Sequence, residues 1–230
     1  MQEKIKLLLA EDDLQLGFII RDNLEEAGYE VINCADGEKA WELFVKKNPD
    51  LCILDVNMPY KDGFNVAKKI RQRNDVVPIL FLTAKSQEED KLKGFAIGAD
   101  DYILKPFSMK ELLSRINVFL RRNKMLMTDS LKTYHIGEIV FTPDELKLVA
   151  KGETITLTLR EKELLEFFCL HSNKVLKREE ILSHVWGKND FFLGRSMDVF
   201  IAKLRKYLNT EPRVCIETIH GVGYRFTTEF

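Results

Sequence analysis

The sequence lacks any apolar run approaching the roughly 18–20 residues that a membrane span needs, which argues against a membrane partner. Its start, Met1-Gln2-Glu3-Lys4, leads into a short apolar stretch that ends at Glu11-Asp12-Asp13. That stretch is too short, and too soon acidic, for a secretory leader. Cysteine is scarce. The four (Cys34, Cys52, Cys169, Cys215) show no close pair, which excludes a disulfide scaffold. Three of them sit in apolar or strand-like runs, so reduced, buried thiols in a cytoplasmic protein are expected. Net charge is also missing: 35 Lys and Arg stand against 36 Asp and Glu, a formal −1. Any nucleic-acid face must therefore be a local patch rather than a basic domain. Internal repeats and low-complexity tracts are absent. What remains is a 230-residue chain, 45% hydrophobic and 31% charged, long enough for one large or two ordinary globular domains.

Two rhythms divide it. In the first, short apolar runs alternate with helical spacing. Ile5–Ala10, Tyr29–Cys34, Leu51–Leu54, Ile79–Leu82 and Tyr102–Leu104 read as strands. Residues 14–27, 36–47, 64–73, 87–97 and 109–122 read as helices, two of which stop at Gly28 and Gly98. Five such β–α units predict an α/β doubly wound parallel five-stranded sheet. After Arg121-Arg122-Asn123-Lys124 the rhythm changes. A polar linker is expected over 124–133, separating a domain at 1–123 from one at 134–230. Residues 135–157 alternate around turn signals, predicting short antiparallel strands. Helices are expected over 160–171, 178–186 and 195–208. Val214–Ile219 and Tyr224–Thr228, joined by His220-Gly221-Val222-Gly223, predict a hairpin. Together these give an α+β second domain.

Open α/β sheets place their chemistry beyond the C-terminal strand ends. There the sequence puts Glu11-Asp12-Asp13, Asp55, Thr83 and Lys105-Pro106. Asp13 reads as a cap for the first helix. Carboxylates converging on one rim repel each other, and a hard divalent cation such as Mg²⁺ relieves them while leaving positions open for phosphate oxygens. With Lys105 and the Thr83 hydroxyl nearby, the set describes phosphoryl transfer onto Asp55.

These residues, with Asn57-Met58-Pro59, Thr83-Ala84 and Gly98-Ala99-Asp100-Asp101-Tyr102, resemble the receiver domain of two-component response regulators, whose sheet is of the flavodoxin-like kind. The resemblance implies that Asp55 accepts phosphate from a sensor histidine kinase. It implies Mg²⁺ held by Glu11, Asp12, Asp55 and the Asn57 carbonyl. Thr83 and Lys105 would contact the phosphoryl oxygens, Tyr102 would act as an aromatic switch, and the Lys105–Pro106 bond would be cis. The face carrying Lys91, Asp100, Asp101, Glu111, Arg115 and Arg122 would form a homodimer on phosphorylation, with Lys91–Glu111 and Asp101–Arg115 pairing across a two-fold axis. Asn57 departs from an often apolar position, where it would orient the water that hydrolyses the phosphoaspartate.

In the second half, residues 195–206 carry four basic groups against Asp198 alone, the footprint of a helix in a major groove. Val199, Leu204 and Leu208 are placed to face a core. Residues 157–165, 185–187, 198–206 and 219–226 resemble the winged helix-turn-helix effector domain of the OmpR/PhoB subfamily. That resemblance implies promoter DNA contacts from Arg195, Ser196, Val199, Lys203, Arg205 and Lys206 on the helix and from His220 and Arg225 on the wing. It also implies direct-repeat half-sites and a loop over 187–194 that meets RNA polymerase. His220 stands where Arg is common, and Ala202 where a basic residue is. Two alternatives stay open: a regulator that binds DNA without phosphorylation, and a phosphohydrolase with an Asp nucleophile. Against the second, the position two after Asp55 is Asn57, not an acid.

Overall fold

Leu7 to Ala10, Leu51 to Leu54 and Ile79 to Leu82 have no exposed surface, as continuous apolar strings must when both faces of a sheet are covered. The computed structural model describes residues 4–84, 94, 97–125, 132–187 and 191–228, excluding the side chains of 121–125, 191–193 and 195. The chain folds as two compact units, 1–125 and 126–230.

In the first unit, β1 (Lys6–Ala10), β2 (Glu30–Cys34), β3 (Leu51–Asp55), β4 (Ile79–Thr83) and β5 (Asp101–Leu104) form one parallel sheet of order β2-β1-β3-β4-β5. The order reverses at β1, which leaves a crevice between β1 and β3. Register aligns Ala10 with Leu54, Asp55 with Leu82 and Thr83 with Leu104, so the ends of these strands share one rim. The crossover helices are α1 (Leu14–Glu26), α2 (Gly37–Lys47) and α3 (Gly63–Arg73), and α4 (Met109–Met125) follows β5. The first three begin at Asp13, Asp36 and Asp62, whose side chains accept first-turn backbone N–H groups. Asp13 is thus the cap its position predicts. Of the helix expected over 87–97, only Gly94 and Ile97 are among the described residues, and both are helical. Gly63 packs against the Asp55 carbonyl, where a Cβ would collide. The loop after β3 therefore folds back tightly on the strand end.

The second unit opens with an antiparallel sheet of β6 (Tyr134–Ile136), β7 (Ile139–Thr142), β8 (Lys147–Ala150) and β9 (Glu153–Thr156), in that order. Next come α5 (Leu159–Leu170), which starts in a Thr158–Glu161 capping box, then β10 (Val175–Lys177), α6 (Arg178–Trp186), α7 (Phe191–Leu208), β11 (Val214–Ile219) and β12 (Gly223–Thr228). Phe168, Ile181, Phe200, Leu204 and Phe226 are buried in its core. Two features depart from expectation. β10 adds a third strand to the hairpin, in the order β10-β12-β11. The loop expected over 187–194 is shorter, because α7 already begins at Phe191; residues 188–190 lie outside the described set.

All four cysteines are free. Burial pushes the Cys34, Cys52 and Cys169 thiols up to about 12. Cys215 is exposed: β11 alternates, and this position faces outward between buried Val214 and Ile216. No helix among the described residues is long and apolar enough to cross a membrane.

Candidate functional site

β1 delivers Glu11 and Asp12 to the rim, and β3 delivers Asp55. Glu11 and Asp55 are buried and Asp12 is exposed, and oxygens from the three carboxylates lie within 4.8 Å of one another. Lys105 enters from the end of β5, where its backbone N–H is held by the Thr83 carbonyl at 2.9 Å. Its Nζ donates to Glu11 Oε1 and Asp55 Oδ2, both at 2.6 Å. The Asn57 backbone N–H donates to Asp55 Oδ1 at 3.0 Å. The Lys105–Pro106 bond is cis, as the resemblance implies.

One ammonium between two carboxylates leaves the cluster short of positive charge. Burial raises the Glu11 carboxyl to about 7; the Lys105 hydrogen bond opposes that shift and the charge of Asp55 adds to it. For Lys105, burial works downward, but the hydrogen bonds and charges of Asp55 and Glu11 together hold its pKa above the usual range. Glu11 Oε2 is buried and has no hydrogen-bond partner. An unpaired buried carboxylate oxygen beside two further carboxylates is the donor set of a hard cation. The cluster is thus able to hold a metal ion.

Thr83, at the end of β4, is buried. Tyr102 is turned inward, its ring 5.1 Å from that of Phe81 and its hydroxyl against Gly94, where a Cβ would overlap it. Of the six charges expected on a pairing face, Asp100 and Asp101 are buried within this copy. Asp100 is 1% exposed and accepts from Arg71 Nη2 at 2.7 Å and from the Ile79 N–H at 2.9 Å. Arg71, which sequence reasoning missed, also donates to the carbonyls of Gly98, Asn74 and Val77. Asp101 and Arg115 pair within the chain at 2.5 Å, and Arg115 also bonds Glu111 at 2.9 Å. Lys91 and the Arg122 side chain lie outside the described residues.

On α7, Leu204 and Leu208 are buried as expected and Val199 is half-buried. Ser196 is fully buried, so the expected DNA contact there is corrected: it sits on the packed side of the helix. Lys203 is half-buried, with Nζ 3.5 Å from Glu161, while Lys206 is exposed. Arg205 turns toward the hairpin, donating to the Ile216 carbonyl and to Thr218 Oγ1 at 2.8 Å each. On the wing, His220 is exposed and Arg225 is held by Glu217, opposite it in the β11–β12 register, at 2.9 and 2.6 Å. The Arg195 side chain lies outside the described residues. A cluster of Arg178, Asp198 and Tyr224 was not anticipated. Its one sequence signal was Asp198, a lone acid in a basic helix.

Residues 7–117 match the family of response regulator receiver domains, and residues 152–226 match the family described as transcriptional regulatory protein, C terminal. The transcriptional regulatory protein RprY of Bacteroides fragilis is 44% identical over 228 residues, covering 99% of this chain and 97% of that one. The alkaline phosphatase synthesis transcriptional regulatory protein PhoP of Bacillus subtilis is 39% identical over 229 residues, covering 96% and 95%. Among solved structures, a mutant of RitR superposes with a TM-score of 0.73 at 26% identity, covering 98% of this chain and 100% of that one. A parallel sheet with an acidic rim, followed by a winged helix domain, defines a receiver module joined to a DNA-binding one. The chain belongs to the OmpR/PhoB subfamily of two-component response regulators.

Proposed function

We propose that Asp55 is the phosphoacceptor, that a sensor histidine kinase is the donor, and that the phosphorylated chain pairs with a second copy to bind direct-repeat promoter half-sites in the cytoplasm. The observation that supports this most is the Lys105 ammonium bridging Glu11 and Asp55 beside an unpaired Glu11 oxygen. Glu11, Asp12, Asp55 and the Asn57 carbonyl would hold Mg²⁺, which supplies charge neutralisation for the transferring phosphoryl group. Asp55 Oδ attacks phosphorus; the P–O bond forms as the P–N bond of the donor's phosphohistidine breaks, and the imidazole keeps the electron pair. Lys105 turns from the Asp55 carboxylate to a phosphoryl oxygen, and the Thr83 hydroxyl donates to another. Asn57 orients the water that later hydrolyses the acyl phosphate. The chain thus promotes its own phosphorylation and dephosphorylation and no other reaction. α7 enters a major groove with Lys206 and Lys203 forward, and the wing carries His220 to the neighbouring minor groove. The turn at Gly187 and the first turn of α7 face RNA polymerase.

Incubation with a labelled small phosphodonor and Mg²⁺ tests the first step. Wild type takes up hydroxylamine-sensitive label and Asp55→Asn takes up none. Equal labelling of the variant would place the acceptor elsewhere. Sustained turnover of a phosphomonoester would instead identify a phosphohydrolase.

A further inference from the structure

Arg178, Asp198 and Tyr224 come from three elements, and each is bonded to the other two. Arg178, the first residue of α6, donates through Nη1 to Asp198 Oδ1 at 2.8 Å and through Nη2 to Asp198 Oδ2 at 3.1 Å. Its Nη1 also reaches the Tyr224 hydroxyl at 2.7 Å, and its Nη2 the Gly194 carbonyl at 2.8 Å. The Tyr224 hydroxyl in turn donates to Asp198 Oδ1 at 2.6 Å. The Tyr224 ring, on the buried side of β12, lies under both the Arg178 and Arg205 guanidinium groups, at 5.5 and 5.9 Å. Residues 198 and 205 are two helical turns apart, so they share a face of α7. Along that face α7 is attached to the hairpin twice: by Asp198 to Tyr224, and by Arg205 to Ile216 and Thr218.

Two attachments fix both the separation and the angle of helix and wing, where one would leave a pivot. Side chains that enter two grooves of one duplex must be held at the spacing of those grooves, and holding them before the encounter removes an ordering cost from binding. We propose that Arg178 and Tyr224 are positioning residues that set the specificity of DNA reading, by bracing the wing against α7 through the Tyr224 hydroxyl. Neither residue needs to touch DNA. The lone acid of the basic helix, Asp198, is the anchor of this brace. The inference rests on the DNA-reading role proposed above for α7 and the wing.

Tyr224→Phe isolates the effect. It keeps the ring and its packing, leaves the Arg178–Asp198 pair intact and changes no charge, but cuts the bonds between hydroxyl and helix. The experiment uses the full chain and two probes: the duplex the wild type enriches most from a random-sequence pool, and a random-sequence duplex of the same length. In Tyr224→Phe, affinity for the enriched duplex falls about tenfold, the scale of one lost charge-assisted hydrogen bond. Affinity for the random duplex and its salt slope stay unchanged, because no phosphate-facing charge is altered. An unchanged ratio of the two affinities overturns the proposal. So does a parallel fall in both that tracks the thermal midpoint, which is what a merely structural bond would give. If Tyr224→Phe does not fold, Arg178→Lys is read by the same ratio, since it keeps one charge but loses the fork that spans three partners. Failure of the wild type to enrich any sequence overturns the DNA-reading role and the brace together. Enrichment by wild type with no loss of ratio in the variants overturns the brace alone.

Discussion

Gly94 and Tyr102 compete for one volume: a methyl group at position 94 would occupy the space of the Tyr102 hydroxyl. The inward Tyr102 is therefore permitted by a missing side chain, and Gly94→Ala forces the ring outward. If the inward ring belongs to the pairing-competent state, pairing driven by beryllofluoride, an acyl-phosphate mimic, falls several-fold in this variant. Sedimentation velocity reads that change, and wild-type pairing in Gly94→Ala would contradict the coupling. At this scale much of the site was legible. Glu11, Asp12, Asp55, Thr83 and Lys105 each follow a recognisable strand, and parallel register alone brings strand ends together. What was not legible is which charges face inward. Asp100 is buried by Arg71, 29 residues earlier in the chain. Arg71 sits near the end of α3, and no spacing rule links it to β5.

Among the elements, Arg71 ties the C-terminal turn of α3 to the start of β4 and to the loop before β5 through four acceptor groups. Removing one partner of a buried pair leaves the other charge uncompensated. Arg71→Leu is expected to cost about 3–5 kcal/mol. Amide exchange in β4 and β5 then accelerates, while exchange in β11 and β12 does not change; uniform exchange across both units would refute the local role. α7 invites a paired comparison. Arg205 is committed to the hairpin, whereas Lys206 is exposed and has no described ion pair. Lys206→Ala therefore reduces the salt slope of DNA binding by about one, and Arg205→Ala weakens binding with the slope nearly kept. The reverse order would place Arg205 on the phosphates. Sequence reasoning treated all the basic positions of this helix alike, because periodicity separates core from surface but not a tethered arginine from a free lysine. It also missed β10: three residues are too few to display a period, and the strand exists because β12 offers an edge to pair with.

At the scale of the whole molecule, near-neutral charge fits the proposal that DNA affinity comes from a local patch rather than a global field. In the proposed dimer, two linked heads on two half-sites would bind far more tightly than either alone. Both family assignments were legible from clustered motifs, whereas the proposed pairing depends on a change of state that no single chain displays. Asp101–Arg115 illustrates this, since the two residues are already bonded within one copy and a cross-axis pair has to exchange that bridge. The most direct measurement is the mass of the full chain in solution, with and without beryllofluoride and Mg²⁺, for wild type and Asp55→Asn. The account predicts that wild type passes from monomer to dimer only when both reagents are present, and that Asp55→Asn stays monomeric throughout. A dimer in their absence, or an Asp55→Asn variant that pairs as wild type does, would contradict it.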